Sequence, residues 1–141
     1  MGYLIDTNVL SEMRKGARAN PNVQAWVARC MASEVFLSAL VVGEIRRGIE
    51  IVRRKDGDQA EAIDRWLATV TSTFGDRILP VTRQIAEEWG RLSVPDPIPV
   101  IDGLLAATAR VHTLTLVTRN VKDVVRTGVS IVNPLEPLPS G

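Results

Sequence analysis

Three acidic residues, Asp6, Glu44 and Asp102, stand where an unpaired carboxylate would be costly. Asp6 directly follows the apolar run Tyr3-Leu4-Ile5, which is typical of a short buried strand whose carboxyl end opens onto a site. Glu44 and Asp102 fall within the apolar faces of two predicted helices. Because a buried carboxylate needs a partner or a metal ion, we expect these acids to share one site.

Three carboxylates that share one site are typical of a binding site for a hard divalent cation. Two carboxylates about 4 Å apart repel by roughly 4 kcal/mol at an effective dielectric of about 20. Mg²⁺ or Mn²⁺ would remove that repulsion, because both ions prefer oxygen ligands and keep several waters. A substrate phosphate completes such a shell, and the ion activates a water and stabilises the leaving oxygen. The three acids therefore predict metal-assisted phosphodiester hydrolysis.

The two helical acids each have an ordinary structural explanation as well. Glu44 lies near the start of its predicted helix, where the helix dipole favours a negative charge. Asp102 follows a Pro-rich loop at 95–99 and could simply begin a helix. Both explanations stay open for either acid taken alone.

Other catalytic arrangements find less support. A phosphoryl-transfer protein would use Asp6 as its nucleophile, but a phosphatase of that type would carry a second Asp at the position of Asn8. The single cysteine, Cys30, lies on an apolar helical stripe, and the single histidine, His112, ends a helix. Their separation argues against a zinc site or a Cys–His pair.

The elements that must position the acids alternate between strands and helices, which predicts an α/β fold with a mostly parallel sheet. The predicted strands lie at 3–5, 35–38, 77–81, 114–118 and 129–132, and the main helices at 8–14, 21–30, 41–53, 60–74, 83–92 and 101–112. Pro80 places the third strand at an edge. The helices at 41–53 and 60–74 are expected to form an antiparallel hairpin. We expect one domain over 1–134 and an irregular Pro-rich tail over 135–141.

The composition is that of an ordinary globular chain, with 45% apolar residues, 23% charged residues and a net charge of +1. No apolar run approaches the roughly 20 residues of a membrane span. We see no secretory signal at the N-terminus, and a lone cysteine fits a reducing compartment, so we expect a cytoplasmic protein that binds no membrane. The basic clusters at 14–18 and 46–55 are typical of solvated helix faces, although they could contact RNA or partner chains.

A series of short motifs resembles, in order along the chain, the PIN-domain ribonucleases, and within them the VapC and FitB type of bacterial toxin. The motifs are Leu4-Ile5-Asp6-Thr7-Asn8, Ser38 with Val42-Gly43-Glu44, Ile101-Asp102 with Ala106-Ala107-Thr108-Ala109, Val117-Thr118-Arg119-Asn120, and Asn133-Pro134. The resemblance implies a three-layer α/β/α sandwich, Mg²⁺- or Mn²⁺-dependent endoribonuclease activity and a homodimer. It also implies a bacterial toxin–antitoxin pair, in which a small VapB- or FitA-like antitoxin occupies the active-site groove and the complex binds operator DNA.

The resemblance also assigns roles by position. Asp6, Glu44 and Asp102 would be the catalytic, metal-binding acids. Thr7 and Asn8 would order the first carboxylate through side-chain hydrogen bonds.

Three further positions would support the site. Ser38 would do so from the second strand. Asn120 stands where the family often has a fourth acid. It can hold a water or coordinate weakly, but it adds no charge. The resemblance therefore leaves open whether the site binds one metal ion or two. Asp123 could substitute if the chain turns it inward, and otherwise it would cap the following short helix. A catalytically weak PIN-fold binding module is therefore the non-enzymatic alternative.

Overall fold

The chain forms a five-stranded, all-parallel sheet flanked by helices, in a computed structural model that describes residues 2–137. The strands are β1 Tyr3–Ile5, β2 Val35–Ser38, β3 Ile78–Leu79, β4 Thr115–Val117 and β5 Ile131–Val132. The helices are α1 Thr7–Met13, α2 Pro21–Arg29, α3 Ala39–Arg53, α4 Gly57–Phe74, α5 Arg83–Leu92, α6 Val100–His112 and α7 Val121–Val124. The predicted α/β fold is confirmed.

The strand order β3-β2-β1-β4-β5 puts β1 at the centre of the sheet. Leu4 and Ile5 of β1 are fully buried. The chain winds from β1 to β2 and β3 on one side, and then crosses to β4 and β5 on the other. In open α/β sheets, ligands bind at the carboxyl end of the strands where the winding changes direction. The residues that follow β1 and β4 therefore border the expected crevice.

Helices α3 and α4 begin at residues whose side chains cap them. Ser38 Oγ accepts a hydrogen bond from Leu40 N at 3.1 Å, so α3 begins at Ala39 and not near Val41 as predicted. Asp56 accepts one from Gln59 N at 3.1 Å and starts α4 at Gly57. Each cap satisfies a backbone N–H that has no partner inside its helix.

The α3–α4 hairpin and the edge strand agree with the sequence predictions. Arg46 of α3 contacts Asp64 of α4, and Arg53 contacts Glu61, so the two helices run antiparallel. The strand β3 lies at one edge of the sheet, and Pro80 follows it. The last three strands are shorter than predicted, because only 78–79, 115–117 and 131–132 form ladder pairs.

The C-terminal segment is tied to the domain up to Leu135. Asn133 Oδ1 accepts a hydrogen bond from Leu135 N, and Asn22 Nδ2 donates to Leu135 O at 2.7 Å. Residues 138–141 of the predicted tail lie outside the described residues, and the boundary at 134 stays a prediction. No helix within residues 2–137 is long and apolar enough to cross a bilayer.

Candidate active site

Asp6 occupies the position directly after β1 and is only 3% exposed. Its Oδ1 accepts a hydrogen bond from Val9 N at 2.9 Å, which makes Asp6 the N-cap of α1. Its Oδ2 accepts one from Thr118 Oγ1 at 2.6 Å. Burial raises the pKa of Asp6 above its ordinary value, and these two hydrogen bonds and the charge of Arg119 oppose the shift. The carboxylate is therefore held rigidly at the carboxyl end of the central strand.

Thr118 was not singled out as a site residue in the sequence, although it lies within a motif of the resemblance. It is 2% exposed and follows β4, the strand next to β1. Besides donating to Asp6, its Oγ1 accepts a hydrogen bond from Asn120 N at 3.0 Å. The hydroxyl therefore links the ends of the two strands that border the crevice.

Glu44 lies on α3 and is half-buried. Since α3 begins at Ala39, Glu44 lies beyond the first turn, and the helix-dipole explanation does not account for it. Its Oε1 accepts a hydrogen bond from Thr7 Oγ1 at 2.5 Å. Ser38 is fully buried and contributes indirectly, because it caps the helix that carries Glu44.

The predicted roles of Thr7 and Asn8 differ from what the structure shows. The hydroxyl of Thr7 bonds to Glu44 and not to Asp6. Asn8 is exposed and, within residues 2–137, makes no side-chain hydrogen bond to Asp6. Thr118 and the backbone of Val9 perform the ordering that was predicted for these two residues.

Asp102 lies in the first turn of α6 and is half-buried. Burial is the main reason that its pKa is raised, and the negative charges of Asp123, Asp6 and Glu44 raise it further. A polar interaction with the Asn120 side chain opposes that rise. The first-turn position fits the ordinary explanation of Asp102, but Asp102 also lines the same cavity as Asp6 and Glu44.

The position of α6 depends on a close contact behind Asp102. A Cβ added at Gly103 would lie 2.9 Å from Cδ1 and 3.1 Å from Nε1 of Trp89, so the indole of α5 occupies the space of a side chain. Within the described residues, Trp89 Nε1 is buried without a hydrogen-bond partner. Glycine therefore lets α6 approach α5 closely next to the acid.

Asn120 and Asp123 both lie near the β4 side of the site. Asn120 occupies the N-cap position of α7, and Asp123 is an exposed residue within that helix. The prediction that Asp123 caps this helix is therefore wrong. Its charge nevertheless acts on Asp102 and raises the pKa of that residue, after the larger effect of burial.

The predicted acids line one cavity of about 370 Å³. Its lining residues are Asp6, Thr7, Asn8, Glu44, Pro99, Val100, Ile101, Asp102, Leu105 and Asn120. The cavity lies at the carboxyl end of β1 and next to β4, where ligands bind in this class of sheet. The structure therefore brings together Asp6, Glu44 and Asp102, which are far apart in the chain.

Residues 3–127 match the family described as PIN domain. The chain belongs to the PIN-domain family. Toxin FitB of Neisseria gonorrhoeae is 31% identical over 93% of this chain and 96% of its own length. VapC ribonuclease Y4jK of Sinorhizobium fredii is 30% identical over 95% of this chain and 98% of its own. The solved structure of FitAB bound to an IR36 DNA fragment has a chain that superposes with a TM-score of 0.87 and 28% identity, covering 99% of each chain.

The donor set of this PIN domain fits a hard cation bound partly through water. All its charged donors are carboxylate oxygens, and burial, followed by the negative charges of the neighbouring acids, raises the pKa of Asp102. Within residues 2–137, no three His, Cys, Asp or Glu side chains are close enough to hold an ion by themselves. Mg²⁺ and Mn²⁺ suit such a site, because they take one or two carboxylates and keep several waters.

We expect Thr118→Val to lower the stability of the PIN domain and also to weaken the ordering of Asp6 in the candidate site. Valine removes the donor to buried Asp6 and the acceptor for Asn120 N, so the free energy of unfolding should fall by about 1–3 kcal/mol. The pKa of Asp6 should rise further, because a hydrogen bond to its charged form is lost. Urea unfolding measures the loss of stability, and an assay for RNA cleavage with added Mg²⁺ tests whether the site is weakened as well.

Thr127→Val is a matched control for this variant. Thr127 is also buried, and its Oγ1 also donates one hydrogen bond, to Val124 O, and accepts one, from Val129 N. Thr127 does not line the acidic cavity. We expect this control to lose stability but to retain cleavage at temperatures where it is folded. Equal loss of cleavage in both variants would contradict a role of Thr118 in ordering Asp6.

Proposed function

We propose that this PIN-domain protein is a Mg²⁺- or Mn²⁺-dependent endoribonuclease, and that it acts in the bacterial cytoplasm as the toxin of a toxin–antitoxin pair. One observation carries the enzymatic part. Asp6, Glu44 and Asp102 come from three separate elements and line one cavity at the carboxyl edge of the sheet. The ribonuclease name of the VapC relative supports RNA as the substrate.

Each proposed ligand has a side chain or backbone group that orients it. Val9 N and Thr118 hold the two oxygens of Asp6, and Thr7 holds Glu44. Asn120 interacts with Asp102. When bound, Mg²⁺ or Mn²⁺ supplies activation of a water and stabilisation of charge on the leaving oxygen. The residues contribute a fixed set of oxygen donors, so little reorganisation is needed when the phosphodiester arrives.

The partner proteins are proposed from the relatives and from an apolar surface. The solved complex of FitAB with DNA supports a FitA-like partner and DNA binding through the complex. We propose that a FitA- or VapB-like antitoxin blocks the active site and links the toxin to operator DNA. Two mainly apolar grooves of about 300 and 310 Å³ share Met13 and Val27, and Met31 nearby in the chain is 65% exposed. This surface suits an apolar antitoxin segment. A homodimer remains part of the proposal.

A catalytically weak binding module is the second candidate, and Asn120 is the observation that favours it. An amide at this corner supplies no charge for a second metal ion. A phosphoryl-transfer role for Asp6 has no comparable support, because Asp6 is 3% exposed and each of its oxygens accepts a hydrogen bond.

The proposed function predicts metal-dependent cleavage by the purified protein. We expect single-stranded RNA to be cut internally with Mg²⁺ or Mn²⁺, and we expect EDTA to abolish the reaction. Expression without an antitoxin should arrest growth, and co-expression of the antitoxin should restore it. Harmless accumulation of folded protein without any cleavage would contradict the enzyme and favour the binding module.

A further inference from the structure

Two of the conspicuous arginines in the sequence are engaged within the fold. Arg46 and Arg53 of α3 form ion pairs with Glu50, Glu61 and Asp64, and two of these acids belong to α4. These contacts hold the α3–α4 hairpin together. Neither arginine can therefore contact RNA without giving up its contacts in the hairpin.

Arg119 is in a different situation. It is exposed, and within residues 2–137 its guanidinium makes no hydrogen bond or ion pair. Thr118, the residue before it, holds the buried Asp6. The charge of Arg119 reaches that carboxylate and helps to lower the pKa of Asp6 against the effect of burial. An unengaged cation thus stands beside the acid at the centre of the site.

Asn8 connects Arg119 to the acidic cavity. Arg119 lines a small crevice of about 20 Å³ together with Asn8 and Glu12, and Asn8 also lines the acidic cavity. Asn120, the next residue after Arg119, lines that cavity as well, so an RNA strand that leaves the cavity along the surface at Asn8 and Asn120 would pass near Arg119.

The charge of Arg119 acts weakly on the neighbouring Glu12, but within residues 2–137 the two side chains form no ion pair. Glu12 Oε1 accepts a hydrogen bond from Lys15 Nζ at 2.9 Å, and its Oε2 accepts one from Asn20 N at 2.8 Å. Glu12 is therefore held by its own neighbours. The guanidinium stays available for an anion from solution.

The chemistry of an RNA strand fits this position. Every phosphodiester carries a negative charge, and the four carboxylates in and around the cavity repel it. A cation beside the acids offsets this repulsion on the flanking part of the strand. Guanidinium suits the task, because its planar fork donates two parallel hydrogen bonds to phosphate oxygens.

We infer that Arg119 binds a backbone phosphate of the RNA strand next to the one being cleaved, and so positions the strand across Asp6. This inference rests on the proposed function for the identity of the substrate. Arg119 acts on binding and not on the chemical step.

The test is the salt dependence of RNA binding in EDTA, where no cleavage occurs. A fluorescein-labelled single-stranded RNA of mixed sequence is titrated with wild type and with Arg119→Gln at several salt concentrations. We expect Arg119→Gln to weaken binding about fivefold at low salt and to reduce the slope of log affinity against log salt by about 0.7. Arg119→Lys should keep the slope but recover only part of the affinity, because lysine lacks the fork.

Arg65→Gln is the matched control, because Arg65 is an exposed arginine of α4 that forms no ion pair within the described residues. We expect it to leave the slope unchanged. With metal present, Arg119→Gln should raise the half-saturating RNA concentration about fivefold and keep the saturated rate within about twofold, since one phosphate contact is lost and the acids are intact.

Two outcomes would overturn the inference. The first is an unchanged slope in Arg119→Gln; if antitoxin neutralisation is then lost as well, Arg119 belongs to the protein interface. The second is an equal reduction of the slope in Arg65→Gln, which would mean that only total charge matters. A slope that depends on Arg119 in a protein that never cleaves RNA would support the inference and contradict the proposed function. RNA cleavage by the wild type together with an unchanged slope in Arg119→Gln would support the proposed function and contradict the inference.

Discussion

Asp6→Asn is expected to lower metal-dependent RNA cleavage by about a thousandfold, which corresponds to about 4 kcal/mol of lost transition-state stabilisation. The change removes the charge that the proposed metal ion needs and keeps the shape of the side chain. The amide oxygen can still accept the hydrogen bond from Val9 N, so the cap of α1 survives. Burial raises the pKa of Asp6, so loss of its charge relieves a cost, but the amide nitrogen replaces the oxygen that accepts from Thr118 Oγ1. Since these two effects oppose each other, we expect only a small change in melting temperature. Gel assays of RNA cleavage and thermal unfolding in EDTA measure the two quantities.

Asparagine separates function from folding better than alanine at this position. Asp6→Ala would remove the cap, at a cost of about 1 kcal/mol, and would leave the hydroxyl proton of Thr118 without its acceptor. Asp56→Asn is the matched control, because Asp56 caps α4 through the same kind of bond and does not line the cavity. We expect this control to cleave RNA normally. If Asp6→Asn also cleaves normally, Asp6 is not a ligand of the reactive ion.

The sequence predicts the acids of the site better than the groups that orient them. Asp6 is conspicuous because an apolar run ends abruptly in a carboxylate, and Glu44 because it interrupts an apolar helical face. The role of Thr118 depends on β4 lying next to β1, and this neighbour relation comes from strand order, which periodicity does not contain. The partner of Thr7 was unpredictable for a related reason. Whether its hydroxyl meets Asp6 or Glu44 depends on how α3 packs against the start of α1.

The fold shows the same division between local and long-range information. Alternating strands and helices predict the parallel α/β class, and Pro80 correctly predicts an edge position for β3. The predicted starts of α3 and α4 are too late, because the sequence interpretation assigns Ser38 to the second strand and Asp56 to a break between helices, whereas the structure shows both as caps. Ser38 and Asp56 carried that signal in the sequence. The crossing from β3 to β4 carries no local signal, yet it creates the crevice at Asp6.

Asp102→Asn is expected to stabilise the metal-free protein while it lowers cleavage by about a hundredfold or more. The pKa of Asp102 in the folded state is raised by burial and then by Asp123, Asp6 and Glu44. A carboxyl group with a raised folded pKa supports the fold at a pH below its unfolded pKa, and this contribution is lost as the pH rises through the folded pKa. At neutral pH the ionised Asp102 therefore costs stability, and asparagine removes that cost. Because Asp102 is only half-buried and water screens its charge, we expect a gain of about 2 °C in melting temperature.

The pH dependence and the response to metal distinguish this explanation from general stabilisation. In EDTA, the gain from Asp102→Asn should be present at about pH 7–8 and vanish below about pH 4, where the wild-type carboxyl is protonated. Excess Mg²⁺ should raise the melting temperature of the wild type more than that of the variant, because the ion binds the folded state through Asp102. Asp76→Asn, at an exposed position in the turn before β3, should show neither effect. A gain that persists at low pH, or an equal response to Mg²⁺ in both proteins, would mean that Asp102 begins α6 and takes no part in holding the ion.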